Sequence, residues 1–167
     1  MATRCLIVVD DGEDYVVLYK HWDGNPDTIV SLLKEFAQWY TEKVSNSHGY
    51  FPHFLYQAED VAGALIFFNY VKEYELYEKL NKLDYMRPSP DIRPTNISKN
   101  DALSNKDCVW EDYVYHLNLN RDLTWIVKIY SKVAKLKYMY DILIDLKENL
   151  PEEKIKLLER AKVDVVV

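Results

Sequence analysis

The sequence predicts a single α+β domain spanning residues 1–167, with a four-stranded antiparallel sheet built from two β-hairpins and covered by about four helices. Two observations carry this prediction. Runs rich in Val, Ile and Tyr flank short turns near residues 11–12 and 120, as hairpins do. Apolar residues recur at helical spacing after residue 25. A chain of 167 residues is also long enough to bury a core without a disulfide or a metal ion.

The first hairpin is predicted from residues 4–10 and 13–20, joined at Asp11-Gly12, which is a strong two-residue turn signal. With those two residues at the turn centre, Arg4 lies opposite Tyr19. Both faces of the hairpin are largely apolar, so we expect it to be covered on both sides or to lie centrally in the sheet. One face carries Arg4, Leu6, Val8, Tyr15, Val17, Tyr19 and His21, and the other carries Cys5, Ile7, Val9, Val16, Leu18 and Trp22.

Two helical tracts are predicted between the hairpins. Asn25-Pro26-Asp27 is a good helix start, with Asn as the N-cap, Pro at the first helical position and an acid near the positive end of the dipole. Helical spacing then continues to about Val44. The second tract runs from about residue 54 to 84, and Gly63 is a potential break. Its centre, residues 62–71, is apolar nearly all round and is predicted to be buried.

The second half of the chain begins with residues 87–107, which contain three prolines and no periodic apolar pattern, and which are predicted to be a mobile loop or a functional one. Residues 109–117 and 123–130 are predicted to pair about Asn120, with Tyr115 opposite Trp125 and Asp112 opposite Lys128. Helices are predicted for residues 132–148 and 151–161, and a short edge strand for residues 163–167.

Composition limits the classes of function. The formal net charge of −6 argues against a nucleic-acid interface, because such interfaces depend on Lys and Arg. The chain has no signal-peptide pattern and no apolar run near the roughly 20 residues that span a bilayer, so we expect a cytoplasmic protein with no membrane partner. Cys5 and Cys108 are predicted to be buried thiols, and the alternative, a disulfide between them, requires their two strands to lie close together. Scarce Gln with abundant Lys and Glu hints at a thermophilic source.

The strand-to-helix junction at residues 19–26 is the main candidate for a ligand site. An Arg and a His beside a helix N-terminus suit a phosphate or a carboxylate, since free N–H groups point out of the helix there. The alternative is structural: Trp22 caps the core, Asp23-Gly24 makes the turn, and His21 bonds to the backbone. The candidate ligand-binding residues are Arg4, Tyr19, His21, Trp22 and Asp23.

Two stretches resemble a family of small proteins from bacteria, archaea and their viruses that has no assigned function. They are the opening Met1-Ala2-Thr3-Arg4 before a strand, and the turn Tyr19-Lys20-His21-Trp22-Asp23-Gly24-Asn25-Pro26. The family turn reads His-Trp-Asp-Gly-Tyr-Pro, so Asn25 is a departure from it. The resemblance covers about 26 residues and implies an intracellular protein of prokaryotic or viral origin. It supplies no catalytic residues, because the family has no assigned function.

An aromatic stripe in the second helical tract is the candidate interface, because Tyr and Phe are enriched where proteins meet. Its residues are Phe67, Tyr70, Tyr74 and Tyr77, and the alternative is that they face the core. No nucleophile motif or Gly-rich phosphate loop occurs, and the four His lack metal-ligand spacing, so no metal or cofactor is predicted. The favoured function is a non-enzymatic protein that binds a protein partner or itself. The alternative is an anion-binding or enzymatic site at the sheet end.

Overall fold

The computed structural model describes residues 3–46, 52–79, 91–106 and 110–157. They form an α+β fold around a mixed six-stranded sheet of order β3-β2-β1-β4-β5-β6, in which β1 and β4 are parallel and all other neighbours are antiparallel. The strands are β1 (Cys5–Asp10), β2 (Tyr15–Lys20), β3 (Ile92–Pro94), β4 (Tyr113–Leu119), β5 (Thr124–Ser131) and β6 (Lys137–Asp145).

Helices α1 (Pro26–Ser45) and α2 (Ala58–Lys79) pack on one face of this sheet, and the short α3 (Lys99–Ala102) packs on the other. Turns of 3-10 helix cover His53–Leu55 and Leu146–Asn149, and residues 152–157 are helical. The predicted α+β class is confirmed. The predicted sheet is wrong in detail, because it has six strands instead of four and joins the two hairpins through the parallel pair β1 and β4.

The first hairpin pairs two residues away from the predicted register, with Val8 opposite Val17 and Arg4 next to His21. The connection is a four-residue loop because the Asp11 carboxylate accepts the N–H groups of both Glu13 and Asp14, at 2.9 and 2.7 Å. A shift of two residues keeps every side chain on its predicted face, since strands alternate with period two.

The second hairpin pairs four residues away from the predicted register, with Leu119 opposite Trp125. Lys128 lies opposite His116 and Asp141, so the predicted pairing with Asp112 is wrong. The turn lies between Leu119 and Thr124 and is centred two residues later than predicted. Within it, Leu123 adopts a positive φ of 64° and donates its N–H to the Asn120 carbonyl at 3.1 Å.

The helix predicted for residues 132–148 is wrong, because most of that segment is β6. Ile142 and Ile144 alternate toward the core and lie opposite Val127 and Trp125. β-branched and aromatic residues at period two favour a strand over a helix. The edge strand predicted for residues 163–167 and the thiol of Cys108 lie outside the described residues.

The long helices follow the prediction more closely. α1 begins at Pro26, and the Asn25 side chain accepts the Thr28 N–H at 3.0 Å. α2 runs through Gly63 without a break. Its centre is buried on one side only, with Leu65 buried and Phe67 exposed, so the predicted all-round burial is wrong. Within the segment predicted to be a mobile loop, residues 91–106 contain β3 and α3.

Two apolar clusters lie on the two sides of the sheet. The large one packs α1 and α2 against the sheet and includes fully buried Phe36, Leu65 and Trp125. The small one, on the face of the sheet covered by α3, has a core of Leu6, Val8, Val17, Ala102 and Val114. Among the helices in the described ranges, none combines the length and apolar character needed to cross a bilayer.

Candidate functional site

The junction after β2 is held rigidly against the rest of the sheet. Asp23 adopts a positive φ of 54°, which Asp tolerates better than most residues. The Gly24 N–H donates to the Thr3 carbonyl at 2.8 Å, and the Gly24 carbonyl accepts the buried Tyr115 hydroxyl at 2.6 Å. A Cβ at position 24 would lie 2.9 Å from both the Thr3 oxygen and the Cys5 Cβ, so only glycine fits there.

Arg4, Tyr19 and His21 come together on the face of the sheet that carries α3. The Arg4 Nε–H donates to His21 Nδ1 at 3.4 Å, and the Tyr19 hydroxyl lies 2.8 Å from the same nitrogen. Because a guanidinium can only donate, Nδ1 acts as the acceptor and the ring proton sits on Nε2. The backbone of Arg4 is fixed by Asp112, whose Oδ2 accepts the Arg4 N–H at 3.1 Å. The cluster therefore offers a guanidinium and an imidazole N–H on a fixed backbone.

The other two predicted ligand residues lie at the margin of this cluster. Trp22 is 56% exposed, so it does not cap the core, and its ring meets that of His21 edge-on at a centroid distance of 4.7 Å. Asp23 is exposed and lies near α2. Burial raises the pKa of Glu73 in α2. The negative charge of Asp91 raises that pKa further, and the charge of Asp23 adds a smaller increase. Asp23 therefore lies close enough to act electrostatically on the helix.

The N-terminus of α1 offers less to an anion than the sequence predicts. The Asn25 side chain occupies one of its free donors by accepting the Thr28 N–H at 3.0 Å. Pro26 has no N–H, and Asp27 places a negative charge in the first turn. An anion at this end of the sheet would depend mainly on Arg4 and His21.

A buried ion pair beneath Trp22 was not predicted. The Lys20 ammonium donates to Asp91 Oδ2 and to the Trp22 carbonyl, and the two side chains are only 4% and 9% exposed. Asp91 Oδ1 also accepts the Trp22 N–H at 3.3 Å. This pair ties the start of β3 to the end of β2. The one signal in the sequence was a lysine on the apolar face of β2.

A second polar cluster lies at the carboxyl ends of the parallel strands β1 and β4. Asp10 Oδ2 contacts His116 Nε2 at 2.8 Å and Lys99 Nζ at 3.1 Å, and Oδ1 accepts the Gly12 N–H at 2.9 Å. Burial acts to raise the pKa of Asp10, but hydrogen bonds from His116, Gly12 and Lys99 outweigh it and hold that pKa below its ordinary value. The cluster fastens α3 to the sheet. Among the residues that the structure describes, no three His, Cys, Asp or Glu side chains are placed to hold a metal ion.

The predicted interface stripe borders a groove of about 460 Å³ between α1 and α2. Its floor is aromatic: the Trp39 ring lies 5.2 Å from that of Phe68 and 6.2 Å from that of Phe67. Phe67 and Tyr74 are 57% and 43% exposed, Tyr70 is partly buried, and the side chain of Tyr77 lies outside the described set. The charged residues lining the groove are Glu35, Glu42, Glu75 and Lys72, and Lys72 donates to Glu35.

Comparison with known proteins adds no further evidence about this site. No protein-family model, no curated protein and no solved structure matches the chain. The resemblance of residues 1–26 to a family of small proteins therefore stays a prediction.

Proposed function

We propose that this protein is a non-enzymatic interaction protein that binds a basic, amphipathic segment of a protein partner in the groove between α1 and α2. The observation that carries the proposal is the aromatic floor of that groove, open to solvent and lined by three glutamates and one lysine. An amphipathic helix laid into an apolar groove is a recurring mode of peptide recognition.

Phe67 provides the main exposed apolar surface of the groove. The Phe67 ring is 57% exposed and is not a member of the core cluster that α2 helps to form. Covering its exposed part, about 100 Å² of a ring of roughly 200 Å², would contribute about 2.5 kcal/mol. Trp39 lies beside it and is only partly buried, so a partner would cover a continuous aromatic surface.

Charge selects the class of partner. Lys72 pairs with Glu35 and lies 5.3 Å from the Phe68 ring, so the charges of Glu42 and Glu75 on the two sides give the groove a net negative charge. Their negative potential favours a segment with Lys or Arg beside its apolar face and repels an acidic one.

The test uses two fluorescein-labelled synthetic helices of equal length, one built from Leu and Lys and one from Leu and Glu, with the full chain titrated into each. We expect anisotropy to show saturable binding of the basic helix only. Phe67→Ser should weaken it by about tenfold or more, whereas Val133→Ser, at a site 74% exposed and away from the groove, should not.

A double substitution tests whether the glutamates beside the groove select a basic partner. Glu42→Lys with Glu75→Lys should lower affinity for the basic helix and raise affinity for the acidic one, because the rim would then carry the opposite sign. Equal binding of both helices by the unaltered chain, or binding unaffected by Phe67→Ser, would contradict the proposal.

The convergence of Arg4 and His21 supports a second candidate, a small-anion site beside Trp22. The probe is inorganic phosphate, titrated while the His21 ring is followed by NMR. We expect a saturable shift of the His21 resonances that Arg4→Met abolishes. Arg121→Met is the matched control, because Arg121 is 80% exposed at the far end of β1 and β2, near Glu13. A shift that persists in Arg4→Met would count against the site.

A further inference from the structure

The face of the sheet that carries α3 is covered over only part of its width. α3 and its neighbours pack over β1, β2 and β4, where Leu6, Val8 and Val114 are buried. On the same face of β5 and β6, Leu143 is 63% exposed and Tyr138 is 52% exposed. Among the described residues, therefore, an apolar strip two strands wide faces solvent.

Register places the members of this strip. Ile126 lies opposite Leu143, and Lys128 lies opposite Asp141, all on the face away from the buried Trp125 and Val127. Lys128 and Asp141 are both exposed, and the Tyr138 hydroxyl donates to Asp141 Oδ1 at 2.9 Å. The strip thus carries Lys128 and Asp141 side by side next to apolar residues, and Asp145 lies further along the same face of β6, opposite Thr124.

This arrangement complements a copy of itself. In an interface with two-fold symmetry, every contact occurs twice: if residue i of one copy contacts residue j of the other, then residue j of the first copy contacts residue i of the second. An axis that runs between β5 and β6, parallel to the strands, brings Lys128 of one copy over Asp141 of the other and Ile126 over Leu143. It does so twice, without opposing like charges, and packs the two sheets in the aligned manner common among β-sandwiches.

Pairing edge to edge through β6 is a poorer solution. Between Tyr138 and Tyr140, β6 has one more residue than β5, which makes a bulge. Bulges bend a strand and are one of the devices by which edge strands avoid pairing with other chains. The bulge leaves the regular face of residues 140–145 intact, so it hinders edge pairing and permits face packing.

We propose that two copies of this protein associate face to face through the exposed strip of β5 and β6, with paired Lys128–Asp141 contacts across a two-fold axis. This surface is on the opposite side of the sheet from the α1–α2 groove, so it stands independently of the function proposed above. Dimerisation would leave both grooves open to partners.

Sedimentation velocity of the full chain across a concentration series tests the proposal. The unaltered chain should shift from 19.8 kDa toward twice that mass as concentration rises. Leu143→Lys should weaken association by about tenfold or more, since it buries a charge in an apolar contact. Phe67→Lys, in the groove, should leave association unchanged. Circular dichroism confirms that each variant is folded.

A charge-swap experiment tests the pairing itself. Lys128→Asp alone and Asp141→Lys alone each place like charges across the axis, so each variant should be monomeric. Mixed together, they should form a heterodimer, because each then supplies the charge that the other lacks. A monomeric unaltered chain at millimolar concentration, a dimer that persists in Leu143→Lys, or no association of the mixed variants would overturn the proposal.

Discussion

Replacing Asp91 by alanine should destabilise the protein more than any exposed charge substitution, because it leaves the ammonium of Lys20 without its anion. The Lys20 side chain is 4% exposed and that of Asp91 is 9% exposed, so water replaces little of what is lost. Among the described residues, the Trp22 carbonyl is then the one hydrogen-bond acceptor that remains to Lys20. Breaking a buried ion pair from one side costs about 3–5 kcal/mol.

Removing one partner of an exposed ion pair gives the contrast. Lys106 and Asp101 are 66% and 41% exposed, with the ammonium 3.2 Å from the carboxylate. Pairs in such surroundings contribute about 0–1 kcal/mol, because water solvates either partner alone. Lys106→Ala is therefore the matched control for the effect of removing a charge. Removing both members of the buried pair, as in Lys20→Met with Asp91→Leu, should restore most of the lost stability.

Urea unfolding followed by circular dichroism measures the difference. With a urea dependence of about 2 kcal/mol per molar, Asp91→Ala should move the midpoint down by roughly 1.5–2.5 M. Lys106→Ala should move it by less than about 0.5 M. Equal shifts for the two variants would refute the reasoning, since they would mean that Lys20 reaches water once its partner is gone. A double variant no more stable than Asp91→Ala would refute it as well.

Three further predictions concern the sheet and the turn. Tyr115→Phe leaves the buried Gly24 carbonyl without its donor and should lower the free energy of unfolding by about 1–3 kcal/mol in urea, whereas exposed Tyr138→Phe should have a smaller effect. Gly24→Ala places a Cβ 2.9 Å from the Cys5 Cβ and should lower the melting temperature, and an unchanged value would show that the close approach is absent in solution. Because hydrogen bonds hold the pKa of Asp10 below its ordinary 3.8, its stabilisation is present above that value and is lost as pH falls through the lowered pKa. Asp10→Asn should therefore flatten the loss of stability below pH 4, measured by acid titration of the midpoint.

The alternation of the first hairpin could be predicted from sequence, and its register could not. The face occupied by Val8 and Val17 depends only on a period of two, which a slip of two residues preserves. The register depends on the loop, where the Asp11 carboxylate captures two amides and lengthens the turn. The parallel pairing of β1 with β4 could not be predicted from the sequence, because strands more than 100 residues apart carry no local signal that they are neighbours.

β6 was mistaken for a helix because apolar residues occur on its exposed face as well as on its core face. A strand with one solvent-exposed face normally alternates apolar and polar residues. Ile142 and Ile144 follow this pattern, because both face the core. Leu143 lies between them on the open face, and Met139 occupies the bulge, so apolar residues spread over the segment as they do in a helix. The wrong helix prediction and the exposed strip thus have one cause, which is the presence of Leu143 on the open face of β6. An apolar residue on the open face of a strand is itself a reason to look for a second surface that covers it.

In the candidate site, too, contacts between residues close in sequence could be predicted, and contacts between distant residues could not. Arg4, Tyr19 and His21 could be grouped from sequence because all three belong to one hairpin and share a face. The partner of Lys20 could not, since Asp91 is 71 residues away in a segment with no periodic pattern. The need for a partner was nevertheless visible. Lys20 falls on the same face as Cys5 and Leu18, which is the core face, and a buried ammonium is stable only beside an anion or a set of acceptors. A lysine on the buried face of a central hairpin therefore predicts a distant acid, although the identity of that acid requires the fold.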